Sequence, residues 1–109
     1  MKLAIIGSRN LELDITPYVP EGVDEIISGG AKGVDCIAEE YADKHKISKH
    51  IIRPRYDLYP SRVAPIKRNE IIVELCDEVL AFWDGKSKGT LSTINRAEKL
   101  GKKVVIIKV

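Results

Sequence analysis

Short apolar runs alternate with longer amphipathic stretches along this chain. The apolar runs predict five strands, at residues 2–7, 24–28, 50–53, 78–83 and 103–109. Between them, apolar residues recur at helical spacing, which predicts helices over roughly 33–46, 65–76 and 89–100. Residues 10–22 have no clear period, and their two prolines and one glycine allow at most a short helix there.

This alternation predicts the fold class. Successive strand, helix, strand units imply right-handed crossovers and a parallel sheet with helices on both faces, an α/β Rossmann-like three-layer sandwich. The long connection at 56–76 returns the chain across the sheet, so we expect five strands in the order 3-2-1-4-5. The first and fourth strands then become neighbours. Residues 1–109 are expected to form one domain.

Composition narrows the class of protein. The 44% hydrophobic and 31% charged residues are ordinary for a globular chain. No apolar run approaches the roughly 20 residues that cross a bilayer, and Gly7 interrupts the first run at once. Cys36 and Cys76 match no metal-ligand or redox spacing and are expected to be small helix hydrophobes. We therefore expect a cytoplasmic protein with no membrane partner, no metal and no cofactor.

Charge is unevenly distributed, although the net charge is only +2. Residues 1–45 contain 4 Lys or Arg and 9 Asp or Glu, whereas residues 46–109 contain 14 and 7. Two solvated faces of different sign would explain this pattern, and so would a positive region that attracts an anionic ligand. The chain lacks an evident interleaving of basic and aromatic residues, which makes nucleic acid the second choice of partner.

Three glycine-bearing segments follow predicted strands. In open parallel sheets, ligands bind beyond the carboxyl ends of the strands, where backbone N–H groups of glycines and helix N-termini attract anions. The segments are Gly7-Ser8-Arg9, Ser28-Gly29-Gly30-Ala31-Lys32-Gly33 and Asp84-Gly85-Lys86-Ser87-Lys88-Gly89-Thr90. We expect them to converge on one phosphate-binding pocket.

Each segment also has a plainer interpretation. An arginine after a strand is most often a solvated surface residue, and glycine is common in tight turns for geometry alone. Asp35, in the first turn of the first helix, favours the helix dipole there. Arg68-Asn69 taken alone is an ordinary surface pair. The argument for a pocket rests on the convergence of the segments.

Together, these segments, extended to Asp35 and joined by Arg68-Asn69, resemble the SLOG superfamily, which includes the DprA/Smf proteins, the LOG phosphoribohydrolases and the small stand-alone YspA/YpsA-like proteins. The similarity is greatest to the YspA-like branch and covers nearly the whole chain. It implies a Rossmann-like fold that binds or senses a nucleotide or nucleotide-derived ligand. It further implies that Gly29, Gly30, Gly33 and Gly89-Thr90 contact phosphate, with Arg9 and Arg68-Asn69 as polar lining.

One departure bears on catalysis. The LOG enzymes need a glutamate three residues after Gly-Thr, and this chain has Thr93 there. The sequence therefore favours a binding protein over a phosphoribohydrolase, with Glu70 as the nearest substitute acid. Single-stranded DNA binding of the DprA kind is a further alternative. Relatives of this kind often dimerise, so the resemblance also allows a homodimer.

Overall fold

The computed structural model describes residues 1–8, 11–30 and 33–109. Its strands are bounded at β1 (Lys2–Gly7), β2 (Glu25–Ser28), β3 (Ser48–Ile51), β4 (Glu78–Trp83) and β5 (Lys103–Lys108). Its helices are bounded at α1 (Val34–Lys44), α2 (Ala64–Leu75) and α3 (Lys88–Lys99). The predicted alternation of strands and helices is confirmed.

All strands are parallel and lie in the order β3-β2-β1-β4-β5. The predicted fold class and strand order are both confirmed. β1 and β4 pair from Leu3 opposite Glu78 to Gly7 opposite Phe82, so their carboxyl ends are adjacent. Both are central strands whose inner residues are fully buried, which explains their nearly unbroken apolar sequences.

Apolar layers cover both faces of the sheet. On one face, Ile72 and Val73 of α2 and Ile94 and Ala97 of α3 pack on Ala4 and neighbouring strand residues. On the other face, α1 contributes residues at helical spacing that lie against Leu3, Ile5 and Phe82; these are Val34, Ala38 and Ala42. Two of the three are alanines, which let the helix approach the sheet closely.

The segment without a clear period completes the α1 face. Where the structure describes the crossover from β1 to β2, its one regular element is a 3-10 turn, Thr16–Tyr18. Ile15 is fully buried, and the Tyr18 ring lies edge-on to Phe82 with centroids 5.6 Å apart. A loop therefore covers part of the sheet where other crossovers use a helix, which is why this segment shows no helical pattern.

Two expectations need correction. β3 begins two residues earlier than the apolar run 50–53, because it is an edge strand that tolerates polar residues and pairs from Ser48 opposite Glu25. Cys36 is exposed, so it does not act as a core hydrophobe, whereas Cys76 is buried as expected. None of the described helices combines the length and the apolar character needed to cross a bilayer.

Candidate functional site

A cavity of about 300 Å³ opens at the carboxyl end of the sheet. Ile6 and Gly7 of β1 and Gly29, just after β2, form its floor. The first turns of all three helices surround it, through Asp35 of α1, Pro65 of α2 and Gly89 of α3. Helix N-termini carry partial positive charge, so their convergence favours an anionic occupant.

Many of the residues singled out in the sequence meet here. The cavity is lined by Gly7, Gly29, Asp35, Arg68, Asn69, Ser87, Gly89 and Thr90. Others lie near these loops but do not line it, namely Ser8, Ser28, Gly30, Gly33, Asp84 and Gly85. Arg9, Ala31 and Lys32 lie outside the described residues.

Arg68 brings a buried positive charge to the cavity wall. Its side chain is only 9% exposed, and Nη1 donates to the Gly29 carbonyl over 2.7 Å. Nε donates to Oδ1 of Asn69, also over 2.7 Å, so the guanidinium is held at two points. A buried guanidinium fixed in this way is suited to phosphate or carboxylate, because little side-chain freedom is lost on binding.

Gly29 is the residue against which the charged side chains pack. A Cβ placed there would lie 2.5 Å from Nη1 of Arg68 and 3.0 Å from Oδ2 of Asp35. Only a glycine therefore allows both side chains to approach the end of β2. Asp35 is buried, so its carboxylate belongs to the cavity wall and is more than a solvated dipole-compensating group.

Gly30 has a different surrounding. Its φ of +70° is in the left-handed region, and a Cβ there would meet Arg53 Nη1 at 2.7 Å and Ile51 Cγ2 at 2.8 Å. The Gly30 carbonyl accepts from Arg53 Nη1 over 3.3 Å. The glycine is explained by this conformation and by its contacts with Ile51 of β3 and with Arg53.

The segment 84–90 after β4, here called the β4 loop, satisfies many of its own polar groups. Oδ1 of Asp84 accepts from the backbone N–H groups of Lys86 and Ser87, each over 2.8 Å. The hydrogen bonds from Ser87 and Lys86 lower the pKa of the Asp84 carboxyl. Two N–H groups of this predicted phosphate-binding segment are therefore already occupied by Asp84.

Beyond that turn, Ser87 caps α3. Its Oγ accepts from the Thr90 N–H over 3.4 Å and donates to Thr90 Oγ1 over 3.1 Å. Among the described residues, no partner is found for the N–H groups of Lys88 and Gly89, which precede Thr90 in the first turn. Space around Gly89 is open, so an anion can reach these donors from the cavity.

Two predicted serines are buried but face protein. The Ser28 hydroxyl donates to the Asp35 carbonyl over 3.4 Å, which ties β2 to the start of α1. Ser8 is 7% exposed, and its Oγ has no hydrogen-bond partner of good geometry among the described residues. It still lies near enough to Asp84 to help lower the pKa of that carboxyl.

Four lining residues are not among those predicted from the sequence: Ile6, Pro65, Ile72 and Thr93. Alternation along β1 places Ile6 on the same face as Ala4, so its position could have been found from the pattern. The sequence distinguishes Thr93 only as the residue at the position of the LOG glutamate. It is buried, and its hydroxyl donates to the Gly89 carbonyl over 3.0 Å.

The carboxylates also differ from expectation. Glu70 lies outside this cavity and pairs with Lys67 at 3.7 Å, so it is not placed to replace the LOG glutamate. Asp35 is the carboxylate that lines the cavity within the described part of the chain. Chemically, the cavity combines a fixed guanidinium, the free N–H groups at the start of α3 and one acid with the apolar side chains of Ile6 and Ile72.

No protein-family model matches the chain, and no curated protein matches it significantly.

Proposed function

We propose that the cavity binds a phosphate-bearing, nucleotide-derived ligand and holds it without turnover. The observation that carries this proposal is the meeting of three helix N-termini with the buried Arg68 guanidinium. Each N-terminus favours an anion by about 0.3–1 kcal/mol when exposed and by more when partly buried. A charge-assisted hydrogen bond from Arg68 adds about 1.5–3 kcal/mol.

The rest of the cavity supports a nucleotide over free phosphate. Its volume of about 300 Å³ is at the lower end of the range for small-molecule sites. Ile6 and Ile72 supply apolar wall for a base or sugar, and Asn69 and Thr90 supply polar groups that can fix its orientation. The proposal agrees with the SLOG resemblance, which we likewise propose as the relationship of this chain.

Hydrolysis of the N-glycosidic bond is a second candidate, favoured by the carboxylate of Asp35 in the cavity. Against it, the glutamate position of the LOG enzymes is Thr93, whose hydroxyl is engaged with the Gly89 carbonyl. We therefore expect bound AMP to remain intact. Chromatography after long incubation, with a buffer control, distinguishes the two, because time-linear release of adenine supports hydrolysis.

Binding is tested by calorimetric titration of the protein with AMP, ribose 5-phosphate and inorganic phosphate. We expect AMP to bind with a Kd on the order of micromolar and to bind more tightly than phosphate. Arg68→Gln should weaken AMP binding about tenfold or more. Arg62→Gln, an exposed arginine outside the cavity, is the matched control and should bind like the wild type.

Thr90→Val provides a second test that does not depend on the buried arginine. It removes the hydroxyl from the cavity wall and keeps nearly the same side-chain volume. If the wild type does not bind AMP at millimolar concentration, the proposal is rejected. The proposal is also rejected if both Thr90→Val and a folded Arg68→Gln variant bind AMP as tightly as the wild type does.

A further inference from the structure

A second cavity, of about 410 Å³, lies beyond the end of β3. Its lining contains His50 and four side chains that are always charged or nearly so at neutral pH: Arg53, Arg55, Lys67 and Arg68. Among the described residues, no Asp or Glu lines it.

Carboxylates outside the cavity offset part of this charge. Arg55 makes two hydrogen bonds to Asp57, of 2.9 and 2.8 Å, and Lys67 lies 3.7 Å from Glu70. Arg53 has no carboxylate partner among the described residues, and its Nη1 donates to the Gly30 carbonyl. Arg53 is also exposed, so its remaining N–H donors are available to a ligand.

Arg68 joins this cavity to the first, because its side chain lines both. The carbonyl of Gly29 holds Nη1 of Arg68, and the carbonyl of the next residue, Gly30, holds Nη1 of Arg53. Arg68 and Arg53 therefore both contact the end of β2, and both line the second cavity. A single small molecule in the first cavity can therefore extend an anionic group to Arg53.

We propose that the second cavity is a phosphate subsite, and that the ligand is a nucleotide carrying a second phosphate. This inference rests on the proposed function of the first cavity. Arg53 and Lys67 bind the second phosphate, and Arg68 lies between the two phosphates. The charge of Arg55 adds to the positive potential of the cavity, although two of its N–H groups already donate to Asp57.

The lining also contains the exposed ring of Tyr59, which belongs to a segment with several arginines and tyrosines. Residues 53–62 read Arg-Pro-Arg-Tyr-Asp-Leu-Tyr-Pro-Ser-Arg. The concave shape and the shared Arg68 favour a compact ligand over a long strand, and the test includes both.

The experiment compares the affinities of AMP, adenosine 3′,5′-bisphosphate, the dinucleotide pApA and a 20-nucleotide oligo(dA) by calorimetric titration at fixed salt concentration. The proteins are the wild type, Arg53→Gln, Lys67→Gln and the control Arg62→Gln, all of which change exposed side chains. We expect the bisphosphate to bind at least tenfold more tightly than AMP. Arg53→Gln and Lys67→Gln should each lose about tenfold for the bisphosphate and little for AMP.

Adenosine 3′,5′-bisphosphate and pApA separate a terminal second phosphate from a bridging one. A gain for the bisphosphate alone assigns the subsite to a phosphate monoester, and a gain for pApA as well extends it to a diester; both support the proposal. Equal affinity for AMP and the bisphosphate overturns it and leaves the proposed function intact. Length-dependent binding of oligo(dA) that Arg53→Gln abolishes, without a gain for the bisphosphate, overturns it in favour of nucleic acid. If no probe binds, both proposals fail.

Discussion

In the β4 loop, backbone N–H groups bond to side chains of the same loop, whereas at the end of β2 the backbone carbonyls bond to arginines from distant parts of the chain. Asp84 and Ser87 close the β4 loop on itself. Gly29 and Gly30 instead accept from Arg68 and Arg53. The two segments are similar in glycine content, yet one is a self-contained turn and the other holds cations in place.

This difference assigns the two loops different tasks. A loop stabilised by its own side chains keeps its shape whether or not a ligand is present, and it presents the remaining N–H groups of Lys88 and Gly89 at a fixed place. The end of β2 depends on Arg68, which lines both cavities, and on Arg53, which lines the second. Changes there should therefore alter stability and binding together.

The largest expected effect is the difference in stability between two variants, each of which adds a methyl group to one glycine, at the end of β2 or in the β4 loop. Gly29→Ala places a Cβ 2.5 Å from Arg68 Nη1, so we expect unfolding free energy to fall by about 1–3 kcal/mol and AMP binding to be lost. Gly89→Ala meets nothing within 4 Å in the first turn of α3 and should be neutral or stabilising by up to about 1 kcal/mol.

Urea unfolding followed by circular dichroism measures both variants against the wild type. The two are matched, because each adds one methyl group to a glycine that lines the same cavity. Equal unfolding free energies for Gly29→Ala and Gly89→Ala would contradict the packing described at the end of β2.

A smaller effect is expected from the cap of α3. Ser87→Ala removes the acceptor of the Thr90 N–H and should cost about 0.5–2 kcal/mol of stability. Ser92→Ala, on an exposed part of the same helix, serves as the control and should change stability by less than about 0.5 kcal/mol. Thermal and urea unfolding would measure both. A Ser87→Ala variant as stable as Ser92→Ala would show that the β4 loop does not depend on this cap.

The smallest effect concerns pH. Hydrogen bonds from the Ser87 and Lys86 N–H groups lower the pKa of Asp84, so ionised Asp84 stabilises the folded state. That contribution is present above the unfolded pKa of about 3.9 and is lost as pH falls through the lower folded pKa. The stability gap between wild type and Asp84→Asn should therefore be steady near neutral pH and shrink below about pH 4. Urea midpoints across this range measure it, and a gap that widens on acidification would contradict the assignment.

The sequence predicted the central strands most accurately. β1 and β4 are buried on both faces, so their apolar runs mark both ends of each strand. The predicted position of the edge strand β3 differs from the observed one by two residues, because only one of its edges is paired and polar residues are tolerated there. The covering role of residues 11–19 was not foreseen, because a loop that packs through irregular positions leaves no period to detect.

The candidate site was predicted in part. Glycines at strand ends were found because topology alone places them at one edge of the sheet. The position of Arg53 was missed, because its contact with Gly30 joins residues 23 apart and no local pattern encodes it. The occupied N–H groups of Lys86 and Ser87 were missed for a related reason, since only the structure shows where the Asp84 carboxylate turns.

The most direct test of the central claim is a two-dimensional amide NMR titration of the wild-type protein with AMP. If AMP binds in the first cavity, the largest shifts should fall on the amides of Gly29, Lys88 and Gly89 and on the Nε–H of Arg68, while those of β5 remain unchanged. Absence of shifts at millimolar AMP, or shifts concentrated away from these groups, would contradict the account.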